Sequence, residues 1–120
     1  VKHLEENELI KFFEWLAWQA IRHPEFHAVH HVENERRTSW AAGKIRKAKG
    51  VKAGIPDIVV PIPKGRFSGL YIEMKLPGEK PSEAQATMIE ILHLLKHCVR
   101  VAYSADEAIE IFKKYIKGEM

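Results

Sequence analysis

Between Leu4 and Ile21 the apolar residues Leu9, Phe12, Phe13, Leu16 and Ala20 recur at helical spacing, and His23-Pro24 ends the pattern. Phe26 to Val32 then reads as a short first strand and Asn34 to Arg37 as a polar loop. Thr38 or Ser39 can cap a short basic helix that ends near Gly50. Asp57 to Val60 is a β-branched strand preceded by Gly54-Ile55-Pro56, closed by Pro61 and Pro63, and followed by a turn at Lys64-Gly65. The next strand runs from Gly69 to Lys75, until Leu76-Pro77-Gly78 breaks it. Pro81-Ser82 opens a third helix through His97, and Val99 to Tyr103 gives a last strand. Ser104-Ala105-Asp106-Glu107 reads as a capping box for a final helix ending near Lys117. The predicted order is α-β-α-β-β-α-β-α, an α/β fold with a central four-stranded sheet flanked by helices. With no repeat, low-complexity segment or long linker, residues 1–120 read as a single domain.

Composition narrows this picture. A chain of 120 residues that is 46% apolar can bury one core of ordinary size. The single cysteine, Cys98, stands in an apolar run and reads as a small core residue of a protein that needs no disulfide. No apolar run has the length of a membrane span, and Val1-Lys2-His3-Leu4-Glu5-Glu6 does not resemble a secretory signal, so the expected location is cytoplasmic.

The net charge of +3 is too small to imply a polyanionic partner, but its distribution is uneven. Seven basic residues (Arg36, Arg37, Lys44, Arg46, Lys47, Lys49, Lys52) lie between Arg36 and Lys52 without one acid. Such a block reads either as a solvated helix face or as a surface for phosphates, and its place just before the Asp57 strand favours phosphates. Asn34 and Trp40 join it as candidate DNA contacts, whereas Trp15 and Trp18 read as helix packing. The seven histidines lack the spacing of a known zinc site and read as structural or surface residues, His27, His30, His31, His93 and His97 included.

Glu73 and Lys75 lie two apart on one strand, so both side chains face one side of the sheet. If the Lys64-Gly65 turn pairs this strand antiparallel with the preceding one, Asp57 falls opposite the region of Glu73. Two carboxylates and an ammonium in one small site suit phosphodiester hydrolysis. Hard oxygen ligands hold Mg²⁺, the metal acidifies a bound water, and a cation meets the charge that builds on phosphate. Lys75 can position or deprotonate that water or stabilise the transition state. The competing readings are a solvated Glu73–Lys75 strand pair and a turn-capping Asp57.

Pro56-Asp57 and Glu73-Met74-Lys75, with fifteen residues between the acids, resemble the PD-(D/E)XK nuclease superfamily. More narrowly the chain is similar to the stand-alone VRR-type (virus-type replication-repair, VRR-NUC) nucleases. The likeness rests on Asn34, the run Gly50 to Asp57, the run Gly69 to Lys75, and Ser82-Glu83-Ala84-Gln85. It implies a restriction-endonuclease-like core and a metal-dependent endodeoxyribonuclease from a bacterial or phage-infected cell. Asp57 and Glu73 would be ligands of Mg²⁺, or of Mn²⁺ in its place, and Lys75 the catalytic lysine. Gln85 would lie beside the site, although Ser82-x-x-Gln85 is also a capping box.

The likeness also implies a glutamate on the first helix. Glu5, seven residues before Phe12 and eleven before Leu16, lies in the middle of the apolar face; Glu8 at its edge is second choice, and Glu6 should point away. Stand-alone relatives imply a homodimer cutting branched DNA such as four-way (Holliday) junctions, which would serve DNA repair and recombination. The alternatives are a nuclease for flaps, nicks or plain duplex, and a non-catalytic binding module of the same fold. The apolar edge of the third helix (Met88, Ile91, Leu92, Leu95) reads more readily as core than as interface.

Overall fold

A computed structural model describes residues 2–33 and 39–120, so the predicted contacts Asn34, Arg36 and Arg37 and the alternative cap Thr38 lie outside the described residues. Helix α1 spans Lys2–Ala20 and buries Phe12, Leu16 and Ala20, which the helical repeat stacks on one side. Trp15 lies at the edge of this face, its ring 6.1 Å from Phe12 and 5.8 Å from Phe112. Trp18, two residues beyond Leu16 and hence on the far side, is 74% exposed, contrary to the packing expected of it.

The predicted first strand shortens to β1, His30–His31. Pro24 starts a 3-10 helix, Pro24–Ala28, in which Phe26 N–H donates to His23 O at 2.9 Å and Val29 N–H to Phe26 O at 3.1 Å. Proline fixes φ for such a turn, and the buried residues Phe26 and Val29 are accordingly three apart instead of two. Helix α2 spans Trp40–Ala48, with Ser39 Oγ accepting the Ala42 N–H at 3.2 Å. None of its residues is buried.

Strands β2 (Ile58–Val60), β3 (Leu70–Met74) and β4 (Cys98–Ala102) complete a sheet of order β1-β2-β3-β4. β1–β2 and β2–β3 are antiparallel and β3–β4 parallel, so the sheet is mixed. The parallel step needs a crossover, which α3 (Glu83–Leu94) supplies. Ile58, Val60, Leu70, Ile72, Met74, Cys98 and Ala102 share one sheet face and form the core with Phe12, Phe26, Phe112 and Tyr115. Helices α1 and α4 (Ala105–Ile116) lie on that face, and α3 packs beside β4. Tyr115 ties α4 to the β2–β3 loop by donating its hydroxyl to Ile62 O at 2.6 Å. The predicted Lys64-Gly65 turn is present, with Lys64 and Phe67 exchanging backbone hydrogen bonds of 3.1 and 2.9 Å.

Two helix termini differ from expectation. The predicted capping box at α4 is only half formed: Ser104 Oγ accepts from Glu107 N–H at 3.1 Å, but the Glu107 carboxylate takes the Tyr103 N–H at 3.2 Å. The predicted end of α3 at His97 moves back to Leu94. Lys96 has φ 70, its N–H donates to His93 O, and the His97 N–H donates to Leu92 O, both at 3.0 Å. This is a Schellman stop with lysine in the left-handed place that glycine usually fills, hence invisible to a search for glycine. The apolar edge of α3 also stays largely uncovered: only Leu92 is buried, while Ile91 is 44% exposed, Leu95 59% and Leu94 81%.

Because a side chain at Lys96 strains this stop, Lys96→Gly should raise unfolding free energy by about 1 kcal/mol in denaturant melts. A loss of stability would mean that the lysine side chain contributes more than its backbone costs.

Candidate functional site

Asp57 immediately precedes β2, and the register Ile58↔Ile72 brings it opposite Glu73. Its backbone is clamped to β1, since Asp57 O accepts the Val32 N–H at 2.8 Å and lies 2.8 Å from His31 Nδ1. A carbonyl only accepts, so Nδ1 carries the proton in that contact. The Asp57 carboxylate turns toward β3, where Oδ2 accepts the Met74 N–H at 2.7 Å.

Glu73 is the one buried charged residue among the described residues, 2% exposed. Its Oε2 accepts from Gln85 Nε2 at 2.9 Å and lies 3.8 Å from Lys75 Nζ, while Oε1 has no hydrogen-bond partner among the described residues. Burial and the neighbouring Asp57 push its carboxyl up to about 8, against an opposing pull from Lys75. Lys75 directly follows β3 and its N–H extends the ladder to Ala102 O at 2.9 Å.

Gln85 serves both of the roles that its sequence context left open. Its Oε1 accepts the Ser82 N–H at 2.8 Å and its own N–H donates to Ser82 Oγ at 3.2 Å, which completes the capping box of α3. The other end of the same amide reaches Glu73. Gly54 permits this closeness. At φ +84, a Cβ there would lie 2.4 Å from Ala84 O, so only glycine lets the loop before Asp57 rest against the first turn of α3.

Asp57, Glu73, Lys75 and Gln85 line an open cleft of about 820 Å³, and Glu5 lines it from α1. Burial raises the Glu5 pKa, with Glu79 next and Asp57 after it, partly offset by Lys75. Two expectations for α1 fail. Glu6 borders the same cleft instead of pointing away. Glu8, the second choice, is engaged elsewhere: Oε1 accepts the Ala105 N–H at 2.8 Å and Oε2 the Lys11 ammonium at 2.9 Å. These bonds, the Ala105 one foremost, lower its pKa.

Two residues in or beside the cleft escaped the sequence reading. His31, placed among surface histidines, borders the cleft through its bond to the Asp57 backbone. Glu79 does not line the cleft but stands beside Glu5, which does; it accepts the Leu76 N–H at 2.8 Å and its charge helps raise the Glu5 pKa. The tight turn Leu76-Pro77-Gly78 after Lys75, with Gly78 at φ 87, was the signal that could have pointed to it. Of the candidate DNA contacts, Trp40, Lys44, Lys47, Lys49 and Lys52 are exposed and Arg46 is half-buried; none of these lines the cleft.

Asp57 and Glu73 offer hard oxygen donors, and the buried, unpartnered Glu73 Oε1 is the kind of atom that a cation would satisfy. Among the described residues no three acid, histidine or cysteine side chains form a ready-made cage. The donor set thus fits an ion such as Mg²⁺, which takes one or two carboxylates and completes its shell with water and phosphate.

The family model for the VRR-NUC domain matches residues 2–106. A protein of Acyrthosiphon pisum secondary endosymbiont phage 1 named "Putative nuclease p44" is 34% identical over 71 residues, 52% of this chain and 74% of its own. A solved structure titled "VRR_NUC domain protein" superposes with a TM-score of 0.65 at 36% identity, covering 77% of this chain and 69% of its own.

The buried acid has a measurable cost. A carboxyl whose pKa is raised on folding adds stability below its unfolded value near 4.5, and that stability is lost as pH rises through about 8. Without added metal, Glu73→Gln should therefore be more stable than wild type at pH 8.5, by on the order of 1 kcal/mol or more, with the gap closing toward pH 5. Thermal melts across this range test it; a gap that does not change with pH would refute it.

Proposed function

Since the chain belongs to the VRR-NUC family of nuclease domains, matched by the family model over residues 2–106, we propose that it is a metal-dependent DNA endonuclease that cuts four-way junctions as a homodimer. The observation that carries the reading is Glu73: a buried carboxylate flanked by Asp57, Lys75 and Gln85, with one oxygen lacking a donor among the described residues. A core tolerates such an acid when a cation or proton completes it.

In this reading Asp57 and Glu73 hold Mg²⁺ or Mn²⁺, with Glu5 facing them across the cleft. Bound there, the metal supplies an acidified water and a Lewis acid for the phosphate. Gln85 orients Glu73 by donating to Oε2, which leaves Oε1 directed to the ion. The Met74 N–H does the same for Asp57 through Oδ2. Lys75, beside Glu73, orients the attacking water or meets charge developing on the phosphate. The basic residues Lys44, Arg46, Lys47, Lys49 and Lys52 attract the DNA backbone, and Asn34, Arg36 and Arg37 join them from the adjoining segment.

Paired cuts across a four-way junction need two active sites, which a two-fold dimer provides. The uncovered Ile91, Leu94 and Leu95 of α3 supply apolar surface suited to such a contact. No helix among the described residues is long and apolar enough to cross a membrane, and one relative is a phage protein. Both accord with action in the cytoplasm of a bacterial or phage-infected cell.

Labelled four-way junction, flap, nicked and linear duplex DNA, each incubated with Mg²⁺, Mn²⁺ or EDTA, test the reading. Symmetric paired cuts confined to the junction are expected with metal and none with EDTA. Preference for a flap or plain duplex would remove the junction assignment, and no cleavage of any DNA would leave a binding module. Lys75→Ala should retain metal and DNA binding but lose at least about a hundredfold in cleavage rate. Stabilisation by Mn²⁺ in thermal melts should grow with pH and vanish in Glu73→Gln, because the ligand carboxylates must be ionised; stabilisation that persists in that variant would displace Glu73 from the metal.

A further inference from the structure

Helix α2 combines features that the cleft does not use. It buries no residue, and its basic and aromatic side chains lie outside the cleft. Ala42, Gly43 and Arg46 are half-buried, whereas Trp40, Ala41, Lys44, Ile45, Lys47 and Ala48 are exposed. Trp40 is 80% exposed, and Lys44, one turn on, holds its ammonium 5.0 Å from the ring centroid. An indole standing in water leaves roughly 200 Å² of largely apolar, flat surface open to a partner.

We propose that α2 is a stacking platform for an unpaired base, with Trp40 receiving the base face and Lys44 and Lys47 the adjoining phosphates. The inference rests on the nucleic-acid reading above and deepens it by naming the feature of the DNA that is recognised. Surfaces that hold single-stranded DNA pair aromatic faces with cations along the backbone, because every base has a π-face whatever its sequence. Charge selects the occupant. Lys44, Arg46, Lys47, Lys49 and Lys52 are unrelieved by any acid between Ser39 and Pro56, so the surface suits a polyanion. Two α2 helices meeting across a two-fold axis would set these cations against each other.

Position adds to the argument. Gly50 to Asp57 is seven residues, at most about 25 Å of extended chain, and Gly54 is fixed against α3 within that span. Trp40 stands ten residues before Gly50, about 15 Å of helix, so a base held there lies at most about 40 Å from Asp57, a span that one bound DNA segment covers. Branch points, gaps and flaps offer unstacked bases at that distance, and continuous duplex does not.

The test is binding without cleavage, in EDTA, with the whole chain. Fluorescein-labelled probes would be a 12-nucleotide single strand, a duplex carrying a three-base gap, and an uninterrupted duplex. Trp40→Ala should weaken binding to the first two by roughly five- to hundredfold, leave the duplex within about twofold, and be rescued largely by Trp40→Phe. A 2-aminopurine in the gap should be quenched by wild type and much less by Trp40→Ala. Equal loss on all three probes would reduce α2 to a charge contact and overturn the stacking role. A fall in molar mass by light scattering in Trp40→Ala would assign the indole to a second copy and overturn it as well. Because no step requires hydrolysis, a wild type that binds in this pattern but never cuts supports the platform and removes only the nuclease reading.

Discussion

A buried carboxylate beside a second carboxylate is the constraint around which the rest of the molecule is arranged. Glu73 is almost fully removed from water and carries Asp57 as a neighbour, so its ionised form is opposed by desolvation and by like charge together. Each surrounding element supplies a partial remedy. α3 sends the Gln85 amide, the continuation of β3 sends the Lys75 ammonium, and the β3 backbone takes up Asp57 through the Met74 N–H. Among the described residues the remedies stop one atom short, at Oε1 of Glu73. That residual imbalance separates this cluster from an ordinary structural ion pair.

The scaffold makes the arrangement possible with few residues. Antiparallel pairing of β2 and β3 sets Asp57 against Glu73, and the parallel β3–β4 step brings α3 back over the same edge. Gln85 is placed by the capping box that starts α3, so one amide serves both the helix terminus and the acid. Gly54 permits the close approach that holds this terminus against the loop leading to Asp57.

The parts of this that sequence reveals are those set by local rules. The Lys64-Gly65 turn implied antiparallel pairing, the period of two put Glu73 and Lys75 together, and helical spacing singled out Glu5, which does border the cleft. Features decided by distant partners stayed hidden. Glu8 is one turn from Glu5, yet its acceptor role is set by Ala105, 97 residues away. The strand expected from Phe26 became a 3-10 turn because Pro24 and the fit of Phe26 beside Phe112, 5.0 Å between ring centroids, outweighed β-propensity. Periodicity showed that α3 has an apolar edge but not what covers it, and Ile91, Leu94 and Leu95 proved to be uncovered. His31 is held at the cleft, and Glu79 beside Glu5, through backbone contacts that no side-chain pattern records.

The bond from Glu8 to the first N–H of α4 has a consequence for the order of events during synthesis. Asp57, Glu73, Lys75 and Gln85 all precede Ala105–Ile116 in the chain, so they leave the ribosome before α4 does. α1 is synthesised before these residues, but much of the surface it docks on, the Ala105 N–H and the rings of Phe112 and its neighbours, is made after them. Until then α1 lacks those contacts. The two ends of the described fold thus act as a latch, in which α4 helps hold α1, and with it Glu5, beside the acid cluster.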